Sequence, residues 1–165
     1  GLETAAPIAY IVIKKYGFVH TCFFISEYLP YLTIDQAFQQ CDTDAERKHL
    51  TSDFVDYTLQ LHGAKILHRD YNEGNILVHR EADGYHFALI DINRLTLGKV
   101  PSLKQSMKSM EMLGMGLGEM SQVLPLYAQR GGWDKEEAAY YLLRSRHFHR
   151  VRSYIKHSLK KLIGK

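Results

Sequence analysis

The sequence predicts an α+β domain, mostly helical, with two short β-hairpins. Three observations carry this. Two β-branched, apolar runs separated by Tyr16-Gly17 open the chain. A second pair of short apolar runs flanks Glu81-Ala82-Asp83-Gly84. Beyond Arg94 the apolar spacing is helical to the end. With 165 residues, 45% of them apolar and 24% charged, the composition suits one ordinary domain and excludes a disordered or fibrous one. No run of about 18 consecutive apolar residues occurs, so no transmembrane helix is expected. The first residues lack the basic-then-apolar order of a secretory signal. Without an initial Met the chain reads as a fragment or a processed product.

Ile8 to Lys15 and Thr21 to Tyr28 read as strands, and the short glycine-containing loop between them predicts an antiparallel hairpin. Leu29-Pro30 ends the pairing, because proline has no N–H to give a ladder. Thr33 is the N-cap of a short helix from Ile34 to Gln40. From Asp44 to His62, Leu50, Phe54, Tyr57, Thr58 and Leu61 recur at helical spacing, and Gly63 is expected at C′. Ile66-Leu67 leads into a loop from His68 to Asn75. Ile76 to His79 and Tyr85 to Ile90 form the second hairpin, turned at Asp83-Gly84. Helices are expected over Leu103–Leu113, Leu117–Gln129, Lys135–Leu143 and Ser145–Leu162, with Gly131-Gly132 as a loop and Asp134 as an N-cap. Cys22 and Cys41 set no disulfide or metal framework, and Cys22 is expected to be buried as a small hydrophobe. A reducing, cytoplasmic setting is the default.

The segment Ile66-Leu-His-Arg-Asp-Tyr-Asn-Glu-Gly-Asn-Ile-Leu-Val78 carries the chemistry. It has the His-Arg-Asp, four residues, Asn spacing of a kinase catalytic loop, and Phe87-Ala-Leu-Ile-Asp91 follows at the distance of a metal-binding aspartate. Phosphoryl transfer needs an aimed hydroxyl and cations on the phosphate oxygens more than covalent chemistry. Asp70 can accept the proton of an attacking hydroxyl. Asn75 and Asp91 offer the oxygen ligands that Mg²⁺ prefers.

These motifs resemble the large, C-terminal lobe of a protein-kinase-like fold, with the small lobe largely missing. The resemblance divides the chain into 1–28, the last small-lobe strands and the hinge; 29–143, the large lobe; and 144–165, a basic amphipathic C-terminal helix. It implies ATP and Mg²⁺ as cofactors. It also implies that the Glu27 C=O and the Leu29 N–H meet the adenine edge, that Leu77 floors the pocket, and that His68 and Arg69 support the loop. The combination of His68-Arg69-Asp70-Tyr71-Asn72-Glu73-Gly74-Asn75 with Leu89-Ile90-Asp91-Ile92-Asn93-Arg94 resembles the lipopolysaccharide core (heptose/Kdo) kinase family. That implies a bacterial kinase transferring the ATP γ-phosphate to a sugar hydroxyl of a lipid-linked acceptor at the inner face of the inner membrane. Arg94 then either meets an anionic acceptor or pairs with a nearby carboxylate.

The departures are specific. No Gly-x-Gly-x-x-Gly loop precedes Ile8. Lys14 and Lys15 lie on the strand before the hinge strand, outside the position of a nucleotide lysine. Gly114, Gly116 and Gly118 follow Asp91 with the wrong spacing and read as a flexible Met-rich turn. The phosphate-gripping parts are therefore expected upstream, and the 165 residues alone are expected to be inactive. Neither Asp-Phe-Gly nor Ala-Pro-Glu is present, which disfavours a protein kinase. A soluble small-molecule kinase of the aminoglycoside or choline type and a nucleotide-binding pseudokinase are the alternatives.

Net charge is unevenly spread. Arg144 to Lys165 holds eight Lys or Arg and no Asp or Glu, leaving 13 basic against 18 acidic groups elsewhere. Phe148, Val151, Ile155, Leu159 and Leu162 form an apolar stripe in this tail. The simplest expectation is that the stripe packs on the lobe. Contact with an anionic membrane is compatible with that. With few interleaved aromatics, nucleic acid is not expected.

Overall fold

The structure is a computed structural model, and it describes residues 2–162. Strand β1 (Pro7–Lys15) pairs antiparallel with β2 (Phe18–Ser26). Tyr16 and Gly17 join them with φ of 52° and 82°. Two successive positive φ values suit the twist of a hairpin, and the glycine meets this without strain. Apolar side chains on both faces are open: Tyr10 and Phe24 on one, Ile11 and Phe23 on the other. Cys22 is exposed rather than buried, because no layer covers this hairpin among the described residues. A two-stranded hairpin with bare apolar faces is marginal by itself.

Glu27 N–H donates to the Ala6 carbonyl at 2.8 Å where the hairpin closes. The chain then enters the lobe through β3 (Leu32–Thr33) and α1 (Ile34–Gln39). Helix α2 (Asp44–Gly63) starts at Thr43, whose hydroxyl accepts the Glu46 N–H. Gly63 is the last helical residue and not the C′ glycine; Lys65 takes the left-handed position, with φ of 64°. Leu50, Phe54, Val55 and Leu61 form its buried face.

Strand β5 (Ile76–Glu81) lies between β3 and β6 (Gly84–Leu89). Glu81 pairs with Gly84, so Ala82-Asp83 is the turn, one residue earlier than expected. Gly84 has φ of 143°, and a Cβ there would sit 2.9 Å from the Asp53 carboxylate. That carboxylate accepts the Tyr85 N–H, so close approach requires the glycine.

The sequence reading missed β3 and a pair of three-residue strands. Ile66–His68 (β4) pairs antiparallel with Leu95–Leu97 (β7), matching His68 with Leu95. Three residues carry too little periodicity to register. Helices α3 (Leu103–Met110) and α4 (Leu117–Gly131) follow. The last helix, α5, is one continuous element from Lys135 to Leu162, not two. Arg144 and Ser145 contain no helix-breaking residue, and Asp134 accepts the Glu137 N–H at its start. The stripe expected to pack on the lobe does not do so: Phe148, Val151 and Ile155 are exposed. The side chains of Leu159, Lys160 and Leu162, and residues 163–165, lie outside the described residues.

Candidate active site

The loop after β4 is pinned from beneath. Tyr71 is 1% exposed, and its hydroxyl lies 2.9 Å from Thr58 Oγ1 on α2. Thr58 donates its own proton to the Phe54 carbonyl, so Tyr71 is the donor of this pair. The Tyr71 ring stacks near Phe54 with centroids 6.4 Å apart. Tyr71 thus faces the core while its neighbours Asp70 and Asn72 remain half-exposed.

His68 links the two halves of the site. Its Nδ1 accepts the Asp70 N–H at 3.1 Å, and its Nε2 contacts the Asp91 carbonyl at 3.1 Å. A donor on one nitrogen and an acceptor on the other fix the Nε2–H tautomer. The buried Ser109 hydroxyl donates to the His68 carbonyl. Arg69 faces the β7 side: its N–H donates to the Arg94 carbonyl and its Nε to Thr96 Oγ1.

Asn75 Nδ2 donates to the Asp70 carbonyl at 2.8 Å. This leaves Oδ1, the atom able to bind a cation, without a protein donor among the described residues. The Ile90 N–H donates to the Asn75 carbonyl, which brings Asp91 beside Asn75. Asp91 is exposed and adopts φ 54°, ψ 43°, a left-handed conformation that asparagine and aspartate tolerate better than other non-glycine residues. An amide oxygen and a carboxylate, hard oxygen donors on neighbouring backbone, are a donor set that fits Mg²⁺.

Asp70 is held on both oxygens. Asn72 Nδ2 reaches Oδ1 at 3.2 Å, and Arg94 Nη1 donates to Oδ2 at 2.9 Å. Of the two readings for Arg94, the structure has the pairing with a carboxylate. The residues predicted for the adenine pocket lie on other elements. Glu27 and Leu29 follow the hairpin, with Glu27 exposed and Leu29 half-buried, while Leu77 is buried in β5 opposite Thr33 and Ala88.

Sequence reasoning also missed a cavity of about 320 Å³ beside the loop. Asp35 of α1, Glu73 of the loop and Glu119 of α4 line it, with Phe38 and Met115 as apolar walls. Burial first, then the Asp35 and Glu119 charges, raise the Glu73 carboxyl above its ordinary range. Only the position of Glu73 inside the motif hinted at this. A second cavity of equal size, lined by Tyr31, Cys41 and Tyr85, contains none of His68, Asp70, Asn75 and Asp91.

Asp70, Asn75 and Asp91, carried on the segments that follow β4 and β6 and backed by helices, stand in a kinase-like fold. The structure of WaaP in complex with acyl carrier protein superimposes on it with a TM-score of 0.61 at 17% identity, covering 88% of this chain and 68% of that one. The Rio2 kinase–ADP/Mg²⁺-phosphoaspartate complex from Chaetomium thermophilum gives a TM-score of 0.46 at 15% identity, over 92% of this chain and 50% of that one. The chain belongs to the lipopolysaccharide kinase (Kdo/WaaP) family, whose model matches residues 1–115. No curated protein matches it. No helix among the described residues is long and apolar enough to cross a membrane.

Proposed function

We propose that the protein transfers the γ-phosphate of Mg-ATP to a sugar hydroxyl of the lipopolysaccharide inner core, at the inner face of the inner membrane. The observation that carries this reading is the Asp70–Asn75–Asp91 constellation in a chain of this family. Asp70 accepts the proton of the acceptor hydroxyl and aims its oxygen. Asn75 Oδ1 and the Asp91 carboxylate hold Mg²⁺. Mg-ATP supplies the phosphoryl group and the cation that neutralises charge developing on it. His68 keeps Asp70 and Asp91 in register through its two ring nitrogens, and Arg69 ties the loop to β7. The acceptor sugar enters through the cavity at Glu73, where carboxylates accept hydroxyl hydrogen bonds.

Residues 1–28 act as the last small-lobe strands and the hinge, residues 29–143 as the large lobe, and residues 144–165 as a basic amphipathic helix. Glu27 and Leu29 meet the adenine edge, and Leu77 floors its pocket. The 165 residues hold no Gly-x-Gly-x-x-Gly loop before Ile8 and no lysine at the nucleotide position. The 165 residues alone are then inactive.

The test follows labelled phosphate from Mg-ATP into under-phosphorylated lipopolysaccharide, using the gene product from its native start with Asp70→Ala as control. Transfer lost in the variant supports the reading. No transfer with intact Mg-ATP binding points to a soluble small-molecule acceptor. Strong transfer by the 165-residue chain would overturn the assignment of the missing parts.

A further inference from the structure

We infer that helix α5 presents an outward amphipathic face that docks on an anionic phospholipid surface. The helix has two faces with separate partners. One packs on the lobe: Ala138 and Leu142 are buried, Arg146 Nη2 donates to the Met115 carbonyl at 2.7 Å, and His149 contacts Glu111 at 3.2 Å. The other begins two residues later, and two residues rotate an α-helix by about 200°. Tyr140, Arg144, Phe148, Val151 and Ile155 follow one another there at steps of three or four. The apolar members are 55%, 59%, 41% and 52% exposed respectively. Every residue from His147 to His157 is exposed, so no part of the lobe covers this stripe.

Charge selects the occupant. No Asp or Glu occurs from Ala138 to Leu162. Arg150 and Arg152 flank the stripe on opposite sides, and the Arg144 guanidinium lies over the Tyr140 and Phe148 rings at 5.9 and 5.6 Å. Flanking cations can reach lipid phosphates while the stripe sinks roughly 5–10 Å into the headgroup boundary. Pairing with a second copy through the same stripe would set Arg144, Arg150 and Arg152 against their counterparts. A nucleic acid would satisfy the cations and leave the aliphatic residues uncovered. The docked face lies opposite the row that touches Met115 and Glu111. Met115 lines the cavity beside Glu73, so docking would also orient that cavity relative to the bilayer.

The inference stands apart from the catalytic reading and is tested without ATP. The full chain is sedimented with phosphatidylcholine vesicles, with or without about 30% phosphatidylglycerol, at about 0.15 M salt. Binding at least tenfold stronger to the anionic vesicles is expected. Phe148→Ser with Ile155→Ser should weaken it tenfold or more at unchanged helicity. Arg150→Gln with Arg152→Gln should weaken it about fivefold for each cation removed. Phe24→Ser, on the exposed hairpin, should leave it unchanged. Four results would overturn the inference: no sedimentation with anionic vesicles, equal binding to neutral ones, binding indifferent to the Phe148/Ile155 pair, or a dimer that the same pair dissolves.

Discussion

Arg94 Nη1 donates to Asp70 Oδ2 at 2.9 Å, across 24 residues of sequence, because the β4–β7 ladder sets His68 opposite Leu95. The Arg69 N–H to Arg94 carbonyl bond locks the same register one step further on. Arg94 is 60% exposed, so the pair contributes little to stability and much to the aim of the carboxylate. In the gene product from its native start, Arg94→Ala should lower kcat/KM about 10- to 100-fold, mainly through kcat, with an unfolding midpoint close to the parent's. Arg94→Lys, which keeps the charge but not the fork, should recover part of it. An unchanged kcat would show that Asp70 needs no orienting partner.

The Tyr71–Thr58 bond anchors the loop from inside the core. Thr58→Val removes the acceptor and leaves the buried Tyr71 hydroxyl unpaired, at a cost of about 1–3 kcal/mol. Tyr71→Phe removes the donor and should cost about 1 kcal/mol. Urea unfolding measures both, and the order Thr58→Val worse than Tyr71→Phe is the diagnostic outcome.

Asp91 sits at φ 54°, where an ordinary side chain is strained by about 1 kcal/mol. Asp91→Gly should therefore raise stability by up to about 1 kcal/mol while abolishing Mg-ATP-dependent transfer. Its carbonyl still receives the His68 Nε2–H, so the fold of the turn persists. A glycine variant that is less stable than the parent would show that the carboxylate supports the turn.

His62 supplies a pH dependence. Burial pushes its ring down from 6.5 to about 4, and its Nδ1 lies 2.8 Å from the Tyr127 hydroxyl. The unfolded chain takes up a proton near 6.5 that the folded chain refuses until about 4. Stability is thus complete above 6.5 and declines as pH falls toward 4, by about 3 kcal/mol. The half-buried His86, raised by its bond to Asp83, acts weakly in the opposite direction. Thermal unfolding between pH 7 and pH 4 should show the decline, and His62→Gln should flatten it.

That His68, Asp70, Asn75 and Asp91 come together was legible because they lie close in the sequence. His-Arg-Asp, Asn75 and Asp91 occupy a fixed spacing, and spacing survives without coordinates. The long helices and the two hairpins were legible for the same reason, since periodicity and turn residues are local. The strand β7 was not legible: three residues gain strand character only by pairing with β4. The direction of the α5 stripe was not legible either. The sequence by itself determined that residues 145–162 carry an apolar stripe and a cationic flank, and the structure joined them to 135–143 in one helix. Tertiary structure decided that Ala138 and Leu142 meet the lobe while Phe148 and Ile155 face away. It also decided that Arg94 reaches Asp70 and that Glu73 shares a cavity with Asp35 and Glu119. Each of these depends on which distant surfaces come together, and burial, unlike spacing, is a property of pairs of segments.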